Sequence, residues 1–231
     1  LKPNFIYFDL DDTLLDHQHA ERQALTDTYC DYAELQQATL EQWVSTYHSI
    51  NKGLWLQYSA GEINRQLLQR QRFEHTLEKL GVDSTAYDEI GFTYMQHYRN
   101  HWKWIDGAEQ VFEKIRSKYD VGIITNGFAE TQELKFQKFD LYNRAHVTVI
   151  SEDVGHMKPH PLVFEHASEQ AGQSAEHILY VGDSYTSDIQ GGAKAGWKTA
   201  WFIHPNNEHP QQTEPADFVF TDFNELMTKL S

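Results

Sequence analysis

Asn4-Phe5-Ile6-Tyr7-Phe8-Asp9-Leu10-Asp11-Asp12-Thr13 is an apolar, aromatic-rich run that ends abruptly in three acids and a threonine. Beta-rich residues followed directly by polar groups predict a buried strand that delivers side chains to one edge of a sheet. In open α/β sheets the carboxyl edge is where ligands bind. Carboxylates crowded there repel one another, and a hard divalent cation held by oxygen ligands is the usual compensation. For an acid triplet by itself, a strand followed by a polar turn is an equal alternative, because Asp-rich turns are common.

Beyond Thr13 the character changes. From Asp16 to Asn100 there is no proline and little strand character, and the stretch is rich in Gln, Glu, Leu and aromatic residues. Apolar positions recur at helical spacing, as in Ile63, Leu67 and Leu68, then Phe73, Leu77 and Leu80 before Gly81. About four helices are expected. Because no strand interrupts them, residues 16–100 read as an inserted helical domain rather than as crossover helices of one domain.

Residues 1–15 and 101–231 then form the other domain. Its second part alternates helix and strand: a helix over Ala108–Lys118, strands over Asp120–Thr125, His146–Ile150, His177–Val181 and Lys198–Ile203, and helices near Glu130–Lys138, Pro161–Ala171 and Ser187–Ala195. A short edge strand at Phe218–Phe220 and a helix at Asn224–Leu230 follow, with a surface loop from His204 to Pro215 between. Alternation of this kind predicts right-handed crossovers and a parallel sheet covered on both faces.

Three more polar clusters fall where strands end. Thr125-Asn126-Gly127 offers a hydroxyl, an amide and glycine-exposed backbone, a neutral cradle for phosphoryl oxygens, although Asn-Gly is also a common turn pair. Lys158-Pro159 places a cation at the same edge as the acids. Gly182-Asp183-Ser184-Tyr185-Thr186-Ser187-Asp188 carries one acid straight after a buried strand and another a helical turn later, with an Asp or Ser helix cap as the plainer reading.

In that order, Asp-x-Asp-x-Thr, Thr-Asn-Gly, Lys-Pro and Gly-Asp-Ser-x-x-x-Asp resemble the haloacid dehalogenase-like hydrolase superfamily, and the helical block resembles its helical cap. The resemblance implies a Rossmann-like parallel sheet of order 3-2-1-4-5 flanked by helices, with an inserted α-helical cap domain. It also implies Mg²⁺ held by Asp9, Asp183 and the main-chain carbonyl of Asp11, with Asp188 and Ser184 behind them. Thr125, Asn126, Gly127 and Lys158 would hold the phosphoryl group, with Thr13 orienting the first loop.

The residue chemistry agrees with that pattern. Asp9 is placed to attack phosphorus and form an aspartyl-phosphate that water later hydrolyses. Asp11 can protonate the leaving alkoxide and then deprotonate the water. A phosphate dianion beside Asp9 and Asp183 needs the charge of Mg²⁺ and Lys158 to balance it. Halide departure needs no proton, so Asp11 favours a phosphoryl substrate over a haloacid. Asp12 reads as a turn former.

Within the helical block, Asn51-Lys52-Gly53-Leu54-Trp55, Gly61-Glu62-Ile63 and Arg72-Phe73-Glu74 resemble the bacterial pyrimidine nucleoside 5′-monophosphate phosphatases. Gly122–Phe128 and Val149–Gly155 resemble the same family. The resemblance implies a nucleoside monophosphate substrate, non-standard pyrimidines included. Asn51, Lys52, Trp55 and Arg72 are the candidate specificity residues, with Trp55 also readable as packing. Rival expectations are a phosphatase for phosphoglycolate or a sugar phosphate, a phosphomutase, and a catalytically silent binding module. Retention of all the polar strand ends argues against the last.

Composition narrows the partners. Lys and Arg number 19 against 34 Asp and Glu, a net charge of −15, which argues against a nucleic-acid polymer or an anionic membrane. Cys30 is the only cysteine, so neither an internal disulfide nor a multi-thiolate zinc site can form. His97 and His101 are four apart, but no third ligand near them completes a metal site. With no apolar run long enough for a membrane span and no basic-then-apolar leader, a soluble cytoplasmic protein is expected.

Overall fold

The computed structural model describes residues 2–204, 207 and 213–230. Two compact units divide the chain, one formed by residues 1–16 with 104–231 and the other by His17–Lys103. The division falls one residue later than the sequence suggests on entering the insertion and three later on leaving it.

The first unit is built on a six-stranded parallel sheet of order β3-β2-β1-β4-β5-β6. Its strands are β1 (Phe5–Phe8), β2 (Asp120–Thr125), β3 (Val147–Ile150), β4 (Ile178–Gly182), β5 (Lys198–Phe202) and β6 (Phe218–Phe220). The expected order 3-2-1-4-5 is present, with the short strand β6 added at the edge beside β5.

Every side chain of β1 is buried, as a central parallel strand covered on both faces requires. Alternation splits the strand between two cores. Ile6 and Phe8 pack with Val121, Ile123, Leu179 and Val181, together with helix residues such as Phe112 and Leu226. Phe5 and Tyr7 pack on the opposite face with Ile124, Ile178, Tyr180, Phe164 and Trp197. Tyr7 stacks on Trp197 at 5.3 Å and donates its hydroxyl to the Ala167 carbonyl, so this large polar tip is satisfied inside the core.

The insertion, described by itself, contains four α-helices, α1 (His17–Asp31), α2 (Leu40–Ser59), α3 (Arg65–Leu80) and α4 (Tyr87–Asn100), with short 3-10 turns at Ala33–Gln37 and Ser84–Ala86. Thr39 and Gln42 form a reciprocal capping box at the start of α2, and Asn64 caps α3. The interior is aromatic, with Tyr47, Phe73 and Tyr94 mutually 5.3–5.5 Å apart. His97 reaches Asp31 at 2.6 Å and His101, just past α4, reaches Asp27, so both histidines tie this end of α4 to α1 by hydrogen bonds.

In the first unit the remaining helices are α5 (Ala108–Arg116), α6 (Ala129–Lys138), α7 (Leu141–Arg144), α8 (Ser151–Val154), α9 (Pro161–Ala171), α10 (Gly191–Lys194) and α11 (Phe223–Leu230). Contrary to expectation, Ser187–Ala195 does not form a regular helix: a π-helical turn covers Tyr185–Gln190 and only then does α10 begin. The Ile189 amide bonds back five residues to the Ser184 carbonyl, widening the turn, and Asp188 is drawn inward by the ammonium of Lys158. The expected loop from His204 to Pro215 lies for the most part outside the described residues. No helix among the described residues is long and apolar enough to cross a membrane.

Candidate active site

The carboxyl ends of β1, β2 and β4 bring the polar strand ends together. Asp9 follows β1, its amide tied to the Val181 carbonyl of β4, and its side chain is buried. Lys158 is buried beside it and donates to Asp9 at 2.7 Å, Asp188 at 2.7 Å, the Tyr180 hydroxyl at 2.6 Å and the Ile124 carbonyl at 3.2 Å. An unpaired ammonium would be costly at this depth. Burial alone would lower the Lys158 pKa, but Asp188 and Asp9 outweigh it and hold the ammonium above the ordinary lysine range.

The acids respond in the opposite direction. Burial pushes the carboxyl of Asp9 up to about 7 against the pull of Lys158, and the charges of Asp188 and Asp11 add to the rise. Desolvation and the charges of Asp9, Asp188 and Asp12 raise Asp183 well above the usual carboxylate range. One ammonium does not neutralise three carboxylates.

One oxygen from each of Asp9, Asp183 and Asp188 lies within 4.8 Å of the others, an all-oxygen donor set that fits a hard divalent cation. Asp188, expected behind the metal ligands, lies beside them with its Oδ1 accepting from Lys158 and its Oδ2 from the Ser184 amide. Gly182 makes that possible, since a Cβ there would lie 2.4 Å from Asp188 Oδ2. Ser184 takes the plainer role, its hydroxyl accepting from the Ser187 amide as a cap while its own amide donates to Asp188.

Other expected residues are placed differently from the phosphoryl cradle described above. The Thr13 hydroxyl is fully buried and faces Asp9 and Asp183, 3.3 Å from each. Asn126 is committed to the Lys158 loop: its Oδ1 accepts from the Lys158 amide at 2.8 Å and from Ser151, and its Nδ2 donates to the Lys158 carbonyl at 2.9 Å. This corrects the expectation that its side chain faces phosphate. A loop segment carrying a buried cation needs its backbone polar groups satisfied, and Asn126 supplies both partners. Gly127 leaves space for Gln132, whose side chain a Cβ would meet at 2.2 Å. Asp12 takes φ 62°, the left-handed conformation that a turn acid tolerates.

Asp11 shows what sequence reasoning missed. Its Oδ1 accepts from Lys135 at 2.6 Å and its Oδ2 from Gln132 at 2.8 Å, and Gln132 also donates to the Thr125 hydroxyl at 2.6 Å. Lys135 and Gln132 are buried on α6, three residues apart on one face. The apolar stripe Phe128, Phe136 and Phe139 runs through the same positions, so helical periodicity could have marked both as buried polar residues. Tyr180, beneath Lys158, carried no such signal because it reads as a core strand residue.

In the helical unit, Asn51 and Arg72 share one polar group around Glu21, while Lys52 is exposed and Trp55 is half-buried against Tyr58. Glu21 accepts from Asn51 at 3.3 Å and meets His48 at 2.9 Å. Burial would raise the Glu21 carboxyl, but His48, His17 and Arg72 together hold it below the usual range. Phe73 is a buried packing residue.

The chain that carries these strand ends is matched over residues 4–196 by a family model for haloacid dehalogenase-like hydrolases. The chain belongs to this family. Among its relatives, the hydrolase is 33% identical to pyrimidine 5′-nucleotidase YjjG of Escherichia coli, over 94% of this chain and 93% of that one. It is 31% identical to pyrimidine 5′-nucleotidase PynA of Streptococcus pneumoniae, over 94% and 91% respectively. The crystal structure of the HAD-hydrolase YfnB from Bacillus subtilis, bound to magnesium, superposes with a TM-score of 0.85 at 30% identity, covering 100% of this chain and 99% of the other.

Proposed function

We propose that this hydrolase is a Mg²⁺-dependent phosphatase that releases phosphate from nucleoside 5′-monophosphates, pyrimidine ones by preference, through an aspartyl-phosphate. The observation that carries the reading is the buried pair of Asp9 and Lys158 at the sheet edge, with Asp11 two residues beyond the nucleophile. The pyrimidine preference is supported by the two nucleotidase relatives matched over more than nine tenths of the chain.

Asp9, Asp183 and the main-chain carbonyl of Asp11 would hold the ion, with Asp188 behind them, and when bound it supplies positive charge to the transferring phosphoryl group. The remaining work falls to the chain's own groups. Lys158 fixes one oxygen of Asp9, so the carboxylate is oriented before substrate arrives. The Thr125 hydroxyl already accepts from Gln132, which leaves its proton as the donor it can offer to a phosphoryl oxygen. Asp11 gives a proton to the departing alkoxide and takes one from the water that frees Asp9. We assign the choice of nucleoside to the helical unit, where Asn51 Oδ1 and Arg72 Nε are buried without hydrogen-bond partners.

Phosphate release measured over a panel of nucleoside monophosphates and sugar phosphates, with Mg²⁺ and with a chelator, tests the reading. Uridine and thymidine monophosphates are expected to turn over fastest, and only with the metal. Equal rates for purine and pyrimidine nucleotides, or preference for a sugar phosphate, would remove the pyrimidine assignment, and undiminished rates in chelator would remove the metal.

A further inference from the structure

Lys135 and Gln132 occupy places that stability alone does not explain. Lys135 is 2% exposed and Gln132 fully buried, whereas Asp11, the carboxylate they hold, is a quarter exposed on its side chain. Gln132 uses its amide nitrogen twice, for Asp11 and for Thr125, and leaves its carbonyl oxygen buried without a hydrogen-bond partner. An unmet buried acceptor carries its full desolvation penalty, so an apolar residue of similar size would serve the fold better. The orientation of the amide follows from chemistry, because an ionised carboxylate only accepts and must face the N–H side.

We propose that Lys135 and Gln132 are positioning residues for the proton-transferring carboxylate, gripping Asp11 by both oxygens and tying it through one amide nitrogen to the phosphoryl-binding hydroxyl of Thr125. This rests on the phosphatase reading above. In the first step the bond from phosphorus to the leaving oxygen breaks as the bond to Asp9 forms. The electron pair stays on the leaving oxygen, which takes the proton that Asp11 has drawn from solvent or kept from the water of the preceding cycle. The carboxylate so produced is the form that Lys135 and Gln132 receive. In the second step it takes the proton of the water whose oxygen bonds to phosphorus, and the Asp9 carboxylate is released.

Gln132 is thus shared between two groups that act on the same substrate. The two buried ammoniums serve different carboxylates, Lys158 those of Asp9 and Asp188 and Lys135 that of Asp11.

Leaving-group dependence separates positioning of Asp11 from a structural role. The kcat/KM for uridine 5′-monophosphate reports departure of an alkoxide that needs a proton, whereas p-nitrophenyl phosphate expels a phenolate that does not. General acid catalysis is worth about 10²–10⁴-fold, so Lys135→Met is expected to reduce the nucleotide kcat/KM at least about tenfold more than the aryl one. Lys135→Arg should recover part of the difference.

In an Asp11→Asn background, Lys135→Met should add less than about threefold further loss, because groups acting through one another are not additive. Equal losses for both substrates, no loss, or full additivity in the Asp11→Asn background would each overturn the proposal. This last arm decides even if the single variant folds poorly. A wild-type protein that hydrolyses neither ester would instead refute the phosphatase reading and this inference with it, while wild-type turnover of both with equal losses in the variants refutes the inference alone.

Discussion

Gly182→Ala and Gly53→Ala make the same chemical change and should move stability in opposite directions. At position 182 the added methyl would lie 2.4 Å from Asp188 Oδ2 and 2.5 Å from its Cβ and Cγ, distances no real contact sustains. Asp188 cannot withdraw easily. It is 1% exposed, its Oδ1 accepts from Lys158 at 2.7 Å and its Oδ2 from the Ser184 amide at 2.9 Å.

Overpacking a tight site costs about 1–3 kcal/mol, and stretching a hydrogen bond to a charged group adds about 1.5–3 kcal/mol. The expected loss at 182 is therefore about 2.5–6 kcal/mol, a large share of the roughly 5–15 kcal/mol that holds an ordinary domain together. At Gly53, within α2, nothing lies within 4 Å of the added methyl, and alanine in a helix interior should stabilise by about 0.5–1 kcal/mol. Urea unfolding followed by tryptophan fluorescence and by circular dichroism measures both, with each unit's transition fitted separately. A Gly182→Ala protein within about 0.5 kcal/mol of wild type, well short of the cost of overpacking a tight core, would show that Asp188 moves freely and that Lys158 is not locked by it.

Asp9→Asn should abolish phosphate release yet leave the thermal midpoint equal or higher, since an acid whose pKa burial raises to about 7 is one whose charge the fold disfavours; substantial residual turnover would refute the nucleophile. Asn126→Ala frees both backbone groups of Lys158 and should cut turnover at least about tenfold, on the scale of losing a preorganised stabiliser, and a change under about twofold would show that the loop holds itself. The Glu21–His48 pair should make stability depend on pH. His48 is raised above 6.5, chiefly by its hydrogen bond to Glu21, so its contribution is full below 6.5 and lost as pH climbs through the raised value. Glu21 is lowered from 4.5, so its contribution is full above 4.5 and lost as pH falls through the lowered value. The thermal-midpoint gap between wild type and His48→Gln should thus be largest near about pH 5.5 and shrink by about pH 8.5, with a size held below about 1 kcal/mol by the exposure of His48. A gap that does not vary with pH would refute the pairing.

Much of this molecule is legible along the chain because strand ends announce themselves locally. Apolar β-rich runs cannot continue into Asp9, Thr125 or Asp183 without reaching an edge, and parallel strands must end at one edge together. The parallel sheet, the helical insertion and the meeting of Asp9, Lys158 and Asp183 are therefore legible without coordinates, and the strand order follows from the family resemblance. Boundaries are less legible at Tyr185–Gln190, where the pull of Lys158 on Asp188 widens a turn that local propensity reads as ordinary helix.

What only the tertiary structure decided is the use made of each polar side chain. Asn126 and Thr125 are neighbours in a motif that suits phosphate, yet Asn126 holds the Lys158 backbone while Thr125 is fixed by Gln132. Asp11 meets Lys135 across 124 residues of chain. A hydrogen bond has direction and short reach, so its partner depends on which distant helix face packs opposite, and no local pattern records that. Composition and periodicity decide which groups arrive at the sheet edge, whereas packing decides which of them face one another and which remain free to face a substrate.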